Sequence, residues 1–136
     1  MTSQEGRLWS ETLRVPFSDM DILGHASHIA YFRYMQEVRV AWVRSLVDQL
    51  PPDQAPVVVS ASCNYLRPVV YPAKLEVLMT GGDAGRSSFV LRYEMRDTNS
   101  LQPVATGETK MVWVDRREQC SAPLPNAIRA LLEPGS

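Results

Sequence analysis

The residues best suited to chemistry lie in one short stretch, 19–28, which combines two carboxylates with two imidazoles. Asp19 and Asp21 come just before Gly24 and His25, and the apolar segment that begins at Ser27 is typical of a helix. A carboxylate beside a helix N-terminus lies near unpaired N–H groups and the positive end of the helix dipole, which favour its ionised form. The same N–H groups can polarise a carbonyl oxygen. This pattern predicts attack on an ester or thioester, by the carboxylate directly or through water. A solvated turn is the other interpretation.

Metal sites compete for the same residues. The spacing D-x-D-x-x-G also opens a calcium-binding loop, but that loop needs an oxygen ligand at its fifth position and a bidentate Glu at its twelfth, which are Leu23 and Ala30 here. His25 and His28 have no accompanying cysteine or second histidine pair that would complete a zinc site. We therefore expect no metal.

Three further motifs follow this stretch. They are N-Y-L-R-P-V at 64–69, G-R-S-S-F at 85–89, and A-T-G at 105–107, which leads into V-W-V-D at 112–115. Together with D-x-D-x-x-G-H and the apolar helix, they resemble the 4-hydroxybenzoyl-CoA thioesterase branch of the hotdog-fold acyl-CoA thioesterases. The resemblance implies one α+β hotdog domain over residues 1–136, in which a curled antiparallel sheet wraps around one long central helix. It also implies hydrolysis of an acyl thioester to a free acid and CoA without a cofactor.

The resemblance assigns roles to individual residues. Asp21 aligns with the family's nucleophile or general base. Substrate-binding candidates close to it in the sequence are Gly24, His25, His28 and Tyr31, although Tyr31 also suits a half-buried core position. The candidates for the nucleotide end of CoA are Arg67, Arg86, Ser87 and Ser88. Arginine binds phosphate through a planar fork, and hydroxyl groups add donors.

The start of the helix departs from the family pattern. Relatives usually carry G-H-V-N-N, whereas this chain has Ser27 and His28 in place of the two asparagines. His28 either replaces an amide donor or acts as a second base with a pKa near neutrality, and we favour positioning because Asp21 already supplies the base. His25 either orients the substrate or is structural. Asp19 is predicted to be structural and to bond backbone N–H groups of its loop.

Two other functions stay open. A hotdog module can bind acyl-CoA without hydrolysing it, and the loss of the asparagine pair favours that alternative. A hotdog dehydratase would use His25 with the helix acid Glu37, but the Pro-rich segment that such enzymes carry after Gly-His is missing. Glu37 is otherwise an exposed charge paired with Arg33 or Arg39. Release of free thiol separates a thioesterase from both alternatives.

Composition fits one globular domain of 136 residues, with 45% apolar and 21% charged side chains. A net charge of -1 predicts no affinity for nucleic acid or an anionic membrane. No apolar run approaches the ~20 residues of a membrane span. Two cysteines and a start without a secretory pattern predict a reduced, cytoplasmic protein.

The elements that must position these residues follow from hydrophobic spacing. Leu13, Val15 and Phe17 alternate with polar residues and predict a strand over 12–18, and helical spacing predicts one helix from Ser27 to Leu50. Further strands are predicted over 57–69, 75–81, 88–96 and 104–115, a short helix over 123–132, and loose ends over 1–6 and 133–136. One helix followed by four strands indicates an α+β antiparallel sheet. Such a sheet leaves an edge strand unpaired. The resemblance implies that two sheets pair across a twofold axis, so we expect self-association as a dimer or tetramer.

Overall fold

One long helix and an antiparallel sheet form the framework of the protein. The computed structural model describes residues 7–133. In chain order the elements are β1 Arg7–Val15, α1 His28–Ser45, β2 Gln54–Tyr65, β3 Ala73–Gly82, β4 Ser88–Asp97, β5 Pro103–Asp115, β6 Cys120–Ser121 and α2 Asn126–Leu132. Two single 3-10 turns, Phe17–Asp19 and Val47–Gln49, flank α1. No helix in residues 7–133 is long and apolar enough to cross a membrane.

The five long strands lie side by side in the order β1-β3-β4-β5-β2, and every neighbouring pair is antiparallel. The short β6 pairs with the end of β5. Within the described residues β2 therefore lies at one edge of the sheet and β1 at the other. The predicted α+β antiparallel architecture is confirmed.

The core lies between α1 and one face of the sheet. Buried side chains recur along α1 at intervals of three or four residues, and they pack with inward-facing residues of β3, β4 and β5. Met35 shows how close the contact is, because a Cβ placed on Gly107 would lie 2.3 Å from its Sδ atom. A larger residue at Gly107 would therefore force the flexible Met35 side chain to shift.

Several predicted boundaries are wrong. β1 begins at Arg7 rather than at residue 12, because its backbone pairing with β3 already starts there. α1 ends at Ser45 and not at Leu50. The chain continues as the 3-10 turn Val47–Gln49, in which Val47 is 63% exposed, while Leu46 and Leu50 on either side pack against the core. β1 ends at Val15, since Pro16 has no N–H to donate, and Phe17 is 70% exposed.

Two later elements also have bounds that differ from the prediction, and β2 begins at Gln54 rather than at residue 57. β2 ends at Tyr65 rather than at residue 69, just before a segment that contains Pro68. α2 begins at Asn126 after Pro125 rather than at residue 123, and it buries Ile128 and Leu132. The predicted loose ends at residues 1–6 and 134–136 lie outside the described residues.

Candidate active site

A short hydrogen-bonded loop carries Asp21 to the start of α1. The Asp21 N–H donates to the carbonyl oxygen of His25 at 2.8 Å, and the Gly24 N–H donates to the carbonyl oxygen of Asp21 at 3.0 Å. Gly24 has a φ of 79°, a left-handed conformation that glycine adopts without strain. Ala26 then donates to the carbonyl oxygen of Val69 at 2.8 Å, which fixes the loop against the segment after β2.

The Asp21 carboxylate is only partly engaged. Its Oδ1 atom accepts the Leu23 N–H at 2.9 Å, whereas Oδ2 takes no hydrogen bond from residues 7–133. The side chain is exposed. One carboxylate oxygen is thus held in place and the other is available to water or substrate, although the bond to Leu23 is also typical of a solvated Asx turn.

A cavity of about 350 Å³ opens beside this carboxylate. Its walls are Asp21, His25, Ala26, His28, Tyr31, Tyr65, Leu66, Arg67 and Pro68. The structure therefore brings together five of the residues selected from the sequence, namely Asp21, His25, His28, Tyr31 and Arg67. Gly24 shapes the same loop without lining the cavity.

The start of α1 supplies a backbone donor at this cavity. Ser27 caps the helix through its Oγ atom, which accepts the Ile29 N–H at 3.4 Å, and its carbonyl oxygen accepts the Ala30 N–H at 2.9 Å. The His28 N–H has no acceptor within the described residues. Because it also lies at the positive end of the helix dipole, it is suited to bind a carbonyl oxygen or an oxyanion.

Three rings form one wall of the cavity, those of His28, Tyr31 and Tyr65, and the His28 and Tyr65 rings meet edge-on with centroids 6.4 Å apart. The Tyr65 hydroxyl donates to the carbonyl oxygen of His28 at 3.0 Å, and the Tyr65 ring meets the Tyr31 ring edge-on with centroids 4.9 Å apart. Burial raises the pKa of Tyr31, so its hydroxyl is neutral near pH 7. Burial also raises the pKa of the half-buried Cys63 thiol close by, which makes it a poor nucleophile.

Sequence reasoning missed part of this wall. Tyr65, Leu66 and Pro68 belong to the 64–69 motif, in which only Arg67 was given a role. The signal was present, because a motif directly after a strand lies in a loop at the strand end, where binding residues are common.

Asp19 is structural, but its partners differ from the prediction. Its carboxylate is 8% exposed and bonds two side chains of α1, the guanidinium of Arg33 and the hydroxyl of Tyr34, the latter at 2.6 Å. The predicted bonds to loop N–H groups are absent within residues 7–133. Instead the Asp19 carbonyl oxygen accepts the Ser27 N–H at 2.8 Å. Burial and the bond to Asp19 raise the pKa of Tyr34.

The remaining candidates for nucleotide binding lie elsewhere. They are Arg86, Ser87 and Ser88, at the start of β4. Ser88 pairs with Val112, whereas Tyr65 at the cavity pairs with Ala105. At about 3.4 Å per residue, the stretch of β5 between these two pairs is roughly 24 Å long. The structure does not bring these three residues to the cavity within one chain.

Glu37 is also remote from the cavity. It lies nine residues after His28, or about 14 Å along α1, and its side chain is exposed. The predicted pairing with Arg33 or Arg39 is not found, because Arg33 bonds Asp19 and Arg39 bonds the Tyr93 hydroxyl at 3.2 Å. No group of three His, Cys, Asp or Glu side chains within residues 7–133 is placed to hold a metal ion.

The family model of the thioesterase-like superfamily matches residues 15–132, which include α1, strands β2 to β6 and the cavity. The chain belongs to this superfamily. It is 32% identical over 103 residues to the uncharacterized protein YsmA of Bacillus subtilis strain 168, a match that covers 75% of this chain and 69% of YsmA. The sequence-based assignment to this family of thioester hydrolases is confirmed.

Solved structures agree with the family assignment. The PA2801 protein of Pseudomonas aeruginosa, itself a proposed thioesterase, is 36% identical with a TM-score of 0.84 and matches 91% of this chain and 97% of that one. Slr0204 of Synechocystis, a 1,4-dihydroxy-2-naphthoyl-CoA thioesterase, has a TM-score of 0.78 at 23% identity, with 91% of this chain and 94% of that one covered. The predicted hotdog fold is therefore confirmed.

Proposed function

We propose that the protein is an acyl-CoA thioesterase that hydrolyses an acyl thioester to a free acid and CoA. One observation carries this proposal: Asp21 and His28, at the start of α1, line the same cavity. Within the described residues, the Oδ2 atom of Asp21 and the N–H of His28 form no hydrogen bond. Membership of a thioesterase superfamily supports the reaction type. A panel of acyl-CoA substrates with a thiol-reactive dye tests the proposal directly, because hydrolysis releases one thiol per turnover.

The reaction needs a nucleophile and a site for the oxyanion. The carbonyl oxygen binds the His28 N–H, which stabilises negative charge as the carbonyl carbon becomes tetrahedral. Asp21 either attacks this carbon and forms an anhydride that water then cleaves, or removes a proton from a water molecule that attacks. In both routes the carbon–sulfur bond breaks, and the thiolate takes up a proton as CoA leaves.

The walls of the cavity suit an acyl thioester. Tyr31, Tyr65 and Leu66 offer apolar surface to the acyl group, and the tyrosine hydroxyls offer polar contacts at their tips. Arg67 is exposed beside the cavity, where its guanidinium donates to the Gln102 side chain at 3.2 Å and remains able to meet a phosphate. His25 lines the same cavity as Asp21 and orients the thioester or the attacking water.

Replacing His28 with Asn should keep turnover within about tenfold of wild type, which corresponds to ~1.4 kcal/mol in the barrier. The substitution keeps the backbone N–H that we assign to the carbonyl oxygen. The side-chain amide of the asparagine positions the substrate in place of the exposed His28 ring. Steady-state kinetics across pH 5.5–7.5 measures the effect. A hundredfold loss, with disappearance of an inflection in that range, would make His28 a catalytic base.

We further infer that two or more copies associate along β2. This strand pairs only with β5 within the described residues, and Val57, Val58 and Val59 on it are 41–55% exposed. An apolar edge strand of this length is normally covered by another chain or element. Sedimentation analysis should therefore give at least a dimer, and a monomer at assay concentration would contradict the inference.

Substitution of Arg86 tests whether one copy of the chain contacts the nucleotide of a substrate that is bound to another copy. Because it lies far from the cavity of its own chain, we propose that Arg86, Ser87 and Ser88 meet the nucleotide of a substrate bound to another copy. Arg86→Ala should raise KM for an acyl-CoA several-fold more than it lowers kcat, since a remote phosphate contact contributes to ground-state binding. An acyl thioester on a short thiol carrier is the control substrate, and equal losses on both substrates would make Arg86 structural.

A non-catalytic acyl-CoA-binding module is the second candidate. It is favoured by one observation, the bond from the Leu23 N–H to Asp21, which a solvated turn without catalytic function would also form. A binder would protect the thioester, so that added protein would lower the rate of spontaneous thiol release rather than raise it.

A further inference from the structure

A second cavity lies at the same end of the sheet as the candidate active site. Its volume is about 620 Å³, within the range of small-molecule sites. The residues of its wall that matter here are Arg14, Phe17, Tyr71, Lys74, Thr98 and Asn99. The segment 65–74 contributes to the walls of both cavities, yet none of these six residues has a role in the proposed hydrolysis.

Two cations face each other at this second cavity. Arg14 of β1 and Lys74 of β3 are direct partners in the antiparallel register, and both side chains are exposed. Like charges directly opposite each other destabilise a strand pair. Neither side chain forms an ion pair with any described residue. The fold therefore leaves two adjacent positive charges without a protein counter-ion.

The acidic groups nearest in the register are engaged with other partners. Glu76, two residues after Lys74 on the same face of β3, forms an ion pair with Arg96. The Oδ1 atom of Asp97 accepts the N–H groups of Asn99 and Ser100 at 2.7 and 3.0 Å. The positive charge at the cavity is thus available to a ligand.

Two rings complete the site. Phe17 is 70% exposed and Tyr71 48% exposed, and their rings meet edge-on with centroids 5.4 Å apart. Both line the cavity that Arg14 and Lys74 also line. An aromatic pair held at the surface offers a face and an edge on which a third planar ring can pack. Thr98 and Asn99 add polar side chains to the lining of the cavity.

We propose that this cavity binds a small molecule in which a planar aromatic ring carries a phosphate or carboxylate group. Arg14 and Lys74 hold the anion, and Phe17 and Tyr71 hold the ring. Such a ligand has two sources. One is a free aromatic acid or ester phosphate, and the other is the nucleotide end of a CoA thioester, which would then bind here rather than at Arg86, Ser87 and Ser88 of another copy. The proposal requires binding alone and does not depend on hydrolysis at Asp21.

Calorimetric titration of the full chain tests the site with adenosine 3′,5′-bisphosphate, phenyl phosphate and benzoate as aromatic probes and inorganic phosphate as the probe without a ring. At least one probe should bind, and its Kd should rise tenfold or more in the double variant Arg14→Gln/Lys74→Gln. Phe17→Leu should weaken the aromatic probes while leaving the affinity for inorganic phosphate unchanged. Lys110→Gln, which removes an exposed cation of β5 outside the cavity, is the matched control and should leave every Kd unchanged.

Kinetics then identify the source of the ligand. If the nucleotide is the ligand, the double variant raises KM for an acyl-CoA but not for an acyl thioester on a short carrier. If a free aromatic anion is the ligand, both KM values stay the same while phenyl phosphate or benzoate binding is lost. The proposal is overturned if no probe binds, or if the double variant and the Lys110→Gln control bind all probes equally. Titrations in the Asp21→Asn background keep this outcome separate from any failure of the hydrolase proposal.

Discussion

Asp21→Asn should lower the rate of thiol release from an acyl-CoA at least a hundredfold, because a general base or nucleophile supplies that much or more. The free energy of unfolding should change by less than about 0.5 kcal/mol. The structure explains this separation. The side chain is exposed, and the asparagine carbonyl oxygen can still accept the Leu23 N–H that Asp21 accepts at 2.9 Å. Activity should therefore be lost without loss of the loop.

The matched control for this substitution is Asp48→Asn. Asp48 is also an exposed carboxylate, but it lies in the 3-10 turn after α1 and does not line the cavity. Thiol release and denaturant unfolding measured on the same preparations compare the two variants. If Asp21→Asn retains more than about a tenth of wild-type turnover, Asp21 is neither base nor nucleophile. Rapid quenching and mass measurement of the wild type during turnover would reveal an acylated protein only on the nucleophilic route.

The sheet could be predicted from the sequence because, in most strands, the alternation of apolar and polar side chains ends near the residue at which the backbone hydrogen bonds to the neighbouring strand end. β4 was expected over 88–96 and spans Ser88–Asp97, and β5 was expected over 104–115 and spans Pro103–Asp115. The errors at the ends of β1 and α1 arose where an apolar residue continues the pattern but is exposed, as Phe17 and Val47 are. Hydrophobic spacing indicates which face is apolar but does not indicate whether that face meets another element.

The site could be predicted where its parts are contiguous in the chain. His25 and His28 lie in the same short stretch of sequence as Asp21, so a turn before a helix already places the three side chains together. Arg67 was found through a motif, whereas its neighbour Tyr65 was given no role although it contacts His28. The partners of Asp19 could not be predicted, because sequence spacing does not determine which face of α1 the loop contacts.

Asp19→Ala should destabilise the protein by about 2–3 kcal/mol, which is typical for loss of hydrogen bonds to a buried charged group. Most of this cost comes from the Tyr34 hydroxyl, which is buried and donates to Asp19 at 2.6 Å. Arg33 contributes less because its side chain is 49% exposed and therefore screened by solvent. Denaturant unfolding measures the effect, and Asp48→Ala, at an exposed carboxylate, should change stability by less than about 0.5 kcal/mol.

A double-mutant cycle with Tyr34→Phe isolates the contact between Asp19 and Tyr34. If the two groups stabilise the fold through their shared hydrogen bond, the double variant should be at least about 1 kcal/mol more stable than the sum of the single effects predicts. Turnover should fall together with stability in Asp19→Ala, because the same residue joins the 3-10 turn before the Asp21 loop to α1. In Asp21→Asn turnover alone should fall. Additive single effects, or wild-type stability in Asp19→Ala, would show that the loop is held to α1 by the backbone bond from Ser27 to Asp19 rather than by the carboxylate.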